Sequence, residues 1–238
     1  LRTELPRHEG ARHGFGEVRW HAPIPRPLKN IFCMGLNYVD HATEAKMDLP
    51  PVPVFFCKYN NTIKRHGGTI KLPTKVAVKF DYEVELVIAM GKRAHDVSEA
   101  DALSYVAGYT VGNDYGLHDF RDTDAGSMLR VKGSDTLAPI GPGLVTGWDF
   151  RNKGIQTRVN GVVKQDSTTA EMEWDMHYLV ADIARLITLV PGDVILSGTP
   201  AFSRPVYPGD VVTVEVEGLG ALTNTIVSAP EPVSTQVG

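Results

Sequence analysis

The sequence has few cysteines, no basic run and no long apolar segment. Cys33 and Cys57 are the two cysteines of its 238 residues, and no paired spacing relates them, which favours a reducing compartment and a cytoplasmic protein. The formal net charge of -4 and the lack of a basic run argue against a nucleic-acid-binding surface. No stretch approaches the roughly 18–20 apolar residues of a membrane span, and the N-terminus shows no signal-peptide pattern. We therefore expect neither a nucleic acid nor a membrane as a partner.

Common nucleotide-binding and hydrolase motifs are also missing. The chain contains no Gly-x-Gly-x-x-Gly fingerprint and no phosphate-binding loop, and Gly-x-Ser-x-Gly is absent. Dinucleotide binding and a serine hydrolase of the nucleophile-elbow type are therefore not favoured. What the chain does have is 23 glycines and 16 prolines spread along its length, which indicates many short strands and turns. We predict a small N-terminal segment over residues 1–28 and one main domain over residues 29–230.

Two glutamates mark the stretch around which the main domain is organised. Residues 80–91 begin with alternating polar and apolar residues and end in an apolar run closed by glycine, which predicts a strand entering the core. Side chains two apart on a strand point to the same face, so Glu83 and Glu85 should lie side by side. Adjacent buried carboxylates repel each other, and a hard divalent cation relieves that repulsion. The pattern therefore predicts a metal-binding strand.

Asp114 is the candidate third ligand. It ends the next predicted strand, after one crossover, and could either join the two glutamates or cap the following turn. Three carboxylates suit Mg²⁺ or Mn²⁺ better than Zn²⁺, which prefers nitrogen and sulfur ligands.

Three further side chains carry possible chemistry. His41 and Glu44 share one face of a predicted helix that Asn37 or Asp40 could cap, so they form either a base and its orienting carboxylate or an exposed surface pair. Lys132 could hold a substrate oxyanion or lie in solvent, as most lysines do. Residues 54–59 predict a buried strand containing a lysine near its end.

An ordered set of short motifs resembles the fumarylacetoacetate hydrolase family over roughly residues 29–227. In family order these are GLNY at 35–38 with His41 and Glu44, DYEVEL at 81–86, ND at 113–114, KGSDT at 132–136, VNG at 159–161 with Gln165 beyond it, PGDVI at 191–195, SGTP at 197–200 and PGD at 208–210. The resemblance implies a mixed β fold with few helices, the β-sandwich roll of the family's C-terminal domain.

The resemblance also implies that residues 29–230 form a metal-dependent catalytic domain with a defined substrate class. Mg²⁺ or Mn²⁺ would be bound by Glu83, Glu85 and Asp114, and would chelate the 2-oxo acid or β-diketone end of a small dicarboxylate. Lys132 would add positive charge near the same oxygens. A homodimer is expected on the same basis.

Roles for the surrounding residues follow from the resemblance as well. His41 and Glu44 would lie on a lid, and His41 would deprotonate a water or a substrate carbon. The turn of Gly198 and Thr199 would bind a substrate carboxylate through a backbone N–H and a hydroxyl. Tyr38 and Gln165 complete the expected substrate contacts.

The chain departs from the family pattern at three places. It has Gly-Leu-His-Asp at 116–119 where Ser-Ala-Arg-Asp is common, Leu36 where many members carry arginine, and Tyr-Asn-Asn after Lys58 where Pro-Ser is common. These changes leave the three carboxylates in place and affect the expected substrate contacts.

Several functions remain open at this point. We expect C–C bond hydrolysis or diene isomerisation of a small 2-oxo or β-diketo dicarboxylate in aromatic-compound catabolism. The alternatives are an oxaloacetate-type 2-oxo acid decarboxylase and a carboxylate-binding relative without activity. A structural β-roll with an acidic patch fits poorly with two glutamates on one strand face.

Overall fold

The computed structural model describes residues 13–14, 17–28 and 30–230. Short strands dominate this part of the chain. They are β1 (Ile31–Gly35), β2 (Val54–Lys58), β3 (Ile63–Lys64), β4 (Thr69–Leu72), β5 (Phe80–Asp81), β6 (Val84–Met90), β7 (Val106–Asn113), β8 (Gly116–Leu117), β9 (Ala138–Val145), β10 (Gly154–Val159), β11 (Val162–Thr168), β12 (Val194–Leu196), β13 (Val211–Val216) and β14 (Gly220–Ser228). The α-helices are α1 (Val39–Ala45), α2 (Glu99–Ala102), α3 (Leu129–Lys132) and α4 (Met176–Leu186). The predicted mixed β fold with few helices is confirmed.

The strands form two main sheets and one small one. The larger sheet has seven strands in the order β2-β1-β12-β6-β7-β9-β3, and the second has five in the order β11-β10-β13-β14-β4. Strands β5 and β8 pair separately. Both main sheets mix parallel and antiparallel pairs, since β1 lies parallel to β12 and β4 lies parallel to β14. The acidic strand β6 is therefore central in the larger sheet.

The main hydrophobic core lies between the two sheets, and β6 shows why. Its side chains alternate between the two faces of the larger sheet, and both faces are covered. Leu86 and Ile88 pack in the main core together with residues of the second sheet such as Val214, while Val87 and Ala89 pack in a smaller cluster on the opposite face. A strand covered on both faces reads as a continuous apolar run, which is the pattern that follows Glu85.

The predicted strand over residues 80–91 is interrupted. Phe80 and Asp81 pair with β8, and the longer strand begins again only at Val84. Glu83 lies in the break, where its backbone N–H donates to the side chain of Asn113 at 2.8 Å and its carbonyl accepts from Asp114 N at 2.8 Å. The chain changes partner strand at this point, so a single strand could not satisfy both pairings.

Two other local predictions need correction. Strand β2 is an edge strand of the larger sheet and is not buried, since Val54 and Cys57 are exposed and only Lys58 at its end is buried. Helix α1 begins after Tyr38 with no side-chain cap, so neither Asn37 nor Asp40 caps it. Asn37 instead donates to the carbonyls of Ser197 and Trp174, tying the start of the helix to two distant loops.

The domain boundaries predicted from the sequence stay predictions. Of the N-terminal segment 1–28, residues 13–14 and 17–28 are described, and the rest lies outside the described residues. Among the described helices, none has both the length and the apolar character needed to cross a membrane.

Candidate metal centre and its cavity

Three acidic side chains meet at the end of the central strands. Glu83 precedes β6, Glu85 lies within it, and Asp114 follows directly after β7. Each offers a carboxylate oxygen, and these oxygens lie within 4.8 Å of one another. The antiparallel register that pairs Val84 with Asn113 brings the two strand ends together. The structure thus assembles the three predicted ligands; their role as ligands remains a prediction.

Two lysines bridge the acidic cluster. Lys132, the last residue of α3, donates to Glu83 Oε2 at 2.6 Å and to the backbone carbonyl of Asp114 at 2.9 Å. Lys58 donates to Asp114 Oδ1 and to the carbonyl of Tyr115. Both lysine side chains are buried, so Lys132 is not the solvated lysine considered as an alternative. Asp114 engages both lysines, which excludes the alternative that it only caps the following turn.

A histidine and a fourth acid lie beside Glu83. His118 Nε2 is 3.4 Å from Glu83 Oε1 and 4.0 Å from Asp81 Oδ2. His118 stands in the stretch 116–119 where the chain departs from the family pattern, and it comes from a short 3-10 turn after β8. The imidazole therefore lies beside Oε1 of Glu83, whereas Lys132 contacts Oε2.

The pKa values of Glu83 and Glu85 are shifted in opposite directions. Burial, together with the carboxylates of Asp114 and Glu83, raises the pKa of Glu85 well above its ordinary value. Burial acts on Glu83 in the same direction, but Lys132 and His118 outweigh it and hold the pKa of Glu83 below its usual range. The two carboxyls are two residues apart in the chain, and the neighbouring Lys132 and His118 lower the pKa of Glu83 alone below its usual range.

The donor set fits a hard divalent cation. Asp114 Oδ2 is buried and accepts no hydrogen bond, although Lys132 Nζ lies 3.1 Å away. Glu85 is 1% exposed and has no lysine among its hydrogen-bond partners in the described part of the chain. An all-oxygen set with uncompensated negative charge is what Mg²⁺ and Mn²⁺ bind.

The Gly198–Thr199 turn contributes differently from the expectation. The Gly198 N–H donates to Glu85 Oε2 at 2.7 Å, so it orients a carboxylate of the protein and is not free for a substrate carboxylate. Gly198 has φ +93°, and an added Cβ would lie 2.9 Å from the Cβ of Asn37, so only glycine fits. Thr199 is the member of the turn that lines the cavity.

Two predicted substrate contacts are buried away from the cavity. Gln165 is fully buried; its amide donates to Thr199 Oγ1 at 3.1 Å and to two backbone carbonyls, and its oxygen accepts from Thr157. Tyr38 is also fully buried, and burial with the nearby Glu85 carboxylate raises the pKa of its phenol. Neither lines the cavity, so Gln165 positions Thr199 and Tyr38 packs beneath the site.

The histidine and glutamate of α1 have separate partners. His41 Nδ1 lies 3.1 Å from the carbonyl oxygen of Thr199, whereas Glu44 Oε1 accepts from Arg204 at 2.6 Å. His41 and Glu44 therefore do not form the hydrogen bond that their shared helix face allows, because the Arg204 guanidinium binds the carboxylate. Asp40 on the same helix accepts from Ser167 Oγ at 2.6 Å, so α1 is docked on the loop after β12 and on β11.

A cavity of about 410 Å³ opens over the cluster. Its apolar wall includes Met34, Leu36, Met47, Phe56 and Met128, and its polar lining consists of His41, Glu83, Arg121, Lys132 and Thr199. The volume falls within the range of small-molecule sites. Of the ten site residues predicted from the sequence, His41, Glu83, Lys132 and Thr199 line this cavity; Glu85 and Asp114 lie in the cluster below it.

Sequence reasoning missed four side chains near the site. They are Lys58, Asp81, His118 and Arg121. A signal existed for Lys58, since a charged residue closes an otherwise apolar strand. Nothing local to His118 or Arg121 indicated that they face the cluster or the cavity.

Comparison with known proteins identifies relatives along almost the whole described chain. A family model described as the fumarylacetoacetate (FAA) hydrolase C-terminal domain matches residues 30–227. The 4-hydroxyphenylacetate degradation bifunctional isomerase/decarboxylase of Escherichia coli is 43% identical over 208 residues, which cover 86% of this chain and 48% of that protein. The chain thus spans about half the length of that relative.

Solved structures agree with the sequence match. A 5-carboxymethyl-2-hydroxymuconate delta-isomerase from Mycobacterium smegmatis superposes with a TM-score of 0.86 at 38% identity, over 96% of this chain and 89% of that one. A fumarylpyruvate hydrolase from Pseudomonas aeruginosa, solved with Mn²⁺ and pyruvate, gives a TM-score of 0.79 at 29% identity, over 85% of this chain and 91% of that one.

Proposed function

The chain belongs to the fumarylacetoacetate hydrolase family, and we propose that it is a divalent-metal-dependent enzyme acting on a small 2-oxo or β-diketo dicarboxylate. The proposed reaction passes through an enolate and ends in C–C bond hydrolysis or diene isomerisation. The observation that carries the proposal is the cluster of Glu83, Glu85 and Asp114 beneath a mainly apolar cavity.

Glu83, Glu85 and Asp114 would hold the ion. A bound Mg²⁺ or Mn²⁺ supplies Lewis-acid stabilisation of the negative charge that develops on the 2-oxo end of the substrate. Lys132 adds a fixed positive charge at the cavity floor and holds Glu83 ionised through their 2.6 Å hydrogen bond. The apolar wall lowers the polarity around the charged groups, which strengthens their interactions in the cavity.

His41 is proposed as the general base. Its Nδ1 contacts the Thr199 carbonyl oxygen, which can only accept, so the proton of the neutral imidazole is on Nδ1. Nε2 then carries the free lone pair and can take a proton from a water or a substrate carbon. The Thr199 hydroxyl accepts from Gln165, so its own hydrogen can be donated to a substrate oxygen. Glu44 would contribute only its negative charge to α1 and would take no direct part in proton transfer, because Arg204 binds its carboxylate.

A product assay with Mg²⁺ tests the proposal. The panel contains acylpyruvates, oxaloacetate and a hydroxymuconate-type diene, with the Glu85→Gln variant and a chelator as controls. We expect release of pyruvate from an acylpyruvate or a shift in the absorbance of the diene. Neither signal should appear with the Glu85→Gln variant or in the presence of the chelator. An absence of any metal-dependent turnover across the panel would refute the proposal and favour a carboxylate-binding protein.

Decarboxylation is the second candidate. It is favoured by the name of the Escherichia coli relative, which combines isomerase and decarboxylase activities. Release of CO₂ from oxaloacetate, without cleavage of an acylpyruvate, would select it over the first proposal. The homodimer implied by the family stays a prediction that sedimentation velocity can test.

A further inference from the structure

One charged side chain of the cavity has no part in the proposed chemistry. Arg121 lines the cavity with Lys132 and His41, but Lys132 is taken by Glu83 and Asp114, and His41 by the Thr199 carbonyl. Arg121 is exposed, and within the described ranges its guanidinium has no ion pair. Its charge acts on the Asp81 carboxylate at longer range, but its hydrogen-bond donors have no partner among the described residues and face a mainly apolar cavity.

The position of Arg121 separates it from the carboxylate cluster. It follows the 3-10 turn His118–Phe120, and its backbone N–H donates to the His118 carbonyl at 3.2 Å. His118 points to Glu83, which is part-buried at the cavity floor, whereas Arg121 is exposed on the solvent side. One short turn therefore supplies a contact to the cluster and a cation to the cavity mouth.

A nearby arginine shows what a structurally committed guanidinium looks like. Arg130 donates through Nε to Asp124 Oδ1 at 2.6 Å and through Nη2 to the Thr123 carbonyl at 2.8 Å, and it lies over the Phe120 ring. Arg121 has no such set of bonds from the described side chains. Its donors are available to a ligand, and a guanidinium fork matches the two oxygens of a carboxylate.

We propose that Arg121 is a specificity-determining residue that binds the distal carboxylate of a dicarboxylate. This rests on the proposed function, in which the 2-oxo acid end lies at the cluster of Glu83, Glu85 and Asp114. A ligand that spans the cavity meets positive charge at the floor, an apolar wall along its chain and a cation at the mouth. An aliphatic chain with a terminal methyl group leaves Arg121 without a partner.

Binding to a matched pair of non-cleavable ligands tests this assignment. 2-Oxoheptanedioate and 2-oxoheptanoate differ only in a carboxylate or a methyl group at the distal end, and calorimetry on the Mn²⁺-loaded protein measures both. We expect the protein to prefer the dicarboxylate by about fivefold, the upper range for an exposed ion pair, and Arg121→Gln to abolish that preference. The preference should also weaken as salt is added, because an exposed pair is screened.

Two variants sharpen the test. Arg121→Lys keeps the charge but not the fork, so part of the preference should remain. Arg93→Gln removes an exposed arginine beyond the opposite end of β6 and should leave the preference intact. A dicarboxylate preference that survives Arg121→Gln, or equal affinity of the unaltered protein for both ligands, would overturn the assignment.

Turnover of a second matched pair separates this assignment from the proposed function. Succinylpyruvate and butyrylpyruvate differ in the same way at the distal end. If the unaltered protein turns over neither substrate of this pair and does not isomerise the diene, the proposed function fails. The preference for binding 2-oxoheptanedioate over 2-oxoheptanoate then still decides the role of Arg121. If Arg121→Gln reduces kcat/KM for both substrates equally, the assignment fails and the proposed function stands.

Discussion

Lys58 and Asp114 form an ion pair in which neither side chain is more than 1% exposed. The lysine ends β2 at the edge of the larger sheet, and the aspartate follows β7 near its middle. The pair therefore joins an edge strand to one candidate ligand of the acidic cluster.

Replacing Lys58 by methionine should destabilise the metal-free protein and enlarge its response to metal. Breaking a buried pair leaves Asp114 with only Lys132, which costs on the order of 3 kcal/mol. The remaining negative charge should favour a cation, so Mn²⁺ should raise the melting temperature of Lys58→Met more than that of the unaltered protein. Differential scanning calorimetry with and without Mn²⁺ measures both effects.

Exposed Lys164 supplies the control for this experiment. Lys164→Met should change neither the unfolding temperature nor the metal response. A Lys58→Met protein as stable as the parent would show that the pair contributes no net stability.

Replacing His41 by alanine should abolish turnover and preserve metal binding. The loss of a positioned base costs about 10²–10⁴-fold in kcat. His177 is a matched control, because its Nδ1 also lies 3.1 Å from a backbone carbonyl, that of Glu99, outside the cavity. Steady-state kinetics should show a loss for His41→Ala alone, and full activity of that variant would remove His41 from the mechanism.

The Glu44–Arg204 pair predicts a pH-dependent contribution to stability. The hydrogen bond from Arg204 holds the pKa of the Glu44 carboxyl below its ordinary value. Because the folded pKa is the lower one, the stabilisation is present above the unfolded pKa of about 4.3 and is lost as the pH falls through the folded pKa. The pair is partly exposed, so it contributes about 1 kcal/mol or less.

Urea unfolding of Glu44→Gln and Arg204→Gln at pH 7 and at successively lower pH tests this sign. Both variants should be less stable than the parent at pH 7, and the difference should shrink as the solution is acidified. A difference that grows towards low pH would contradict the assigned pair.

Gln165 should prove a structural residue. Replacing it by leucine leaves Thr199, two backbone carbonyls and the Thr157 hydroxyl without their partner, and each unsatisfied buried group costs about 1–3 kcal/mol. Gln156→Leu, on the neighbouring strand, removes an amide oxygen without a partner among the described residues and should cost less. If Gln165→Leu raised KM without reducing the unfolding free energy, Gln165 would be a substrate contact after all.

The backbone pattern accounts for the parts of the site that the sequence predicted. The two-residue spacing predicted that Glu83 and Glu85 lie together, and they do so even though Glu83 lies in the break before β6. Antiparallel pairing of β6 with β7 places Asp114 beside them. The Asn-Gly turn at 160–161 joins β10 and β11 with both residues at positive φ, and Asn-Gly is a composition that favours such a two-residue hairpin turn. Each of these relationships follows from local spacing and one strand pairing.

The parts that were missed depend on contacts between distant segments. Lys58 and Asp114 are 56 residues apart, and Gly198 and Glu85 are 113 residues apart, so no local spacing relates them. His41 and Glu44 share a helix face but form no hydrogen bond with each other, because Arg204, 160 residues from Glu44, binds the carboxylate. Helical spacing shows which residues can meet, and tertiary packing decides which of them do.

Calorimetric titration with Mn²⁺ tests the central claim most directly. The unaltered protein should bind one ion per chain, and Asp114→Asn and Glu85→Gln should each abolish the binding heat. Glu215→Gln, which removes a carboxylate from β13 in the second sheet, should bind as the parent does. Unchanged Mn²⁺ affinity in either cluster variant would contradict the assignment of Glu83, Glu85 and Asp114 as the metal site.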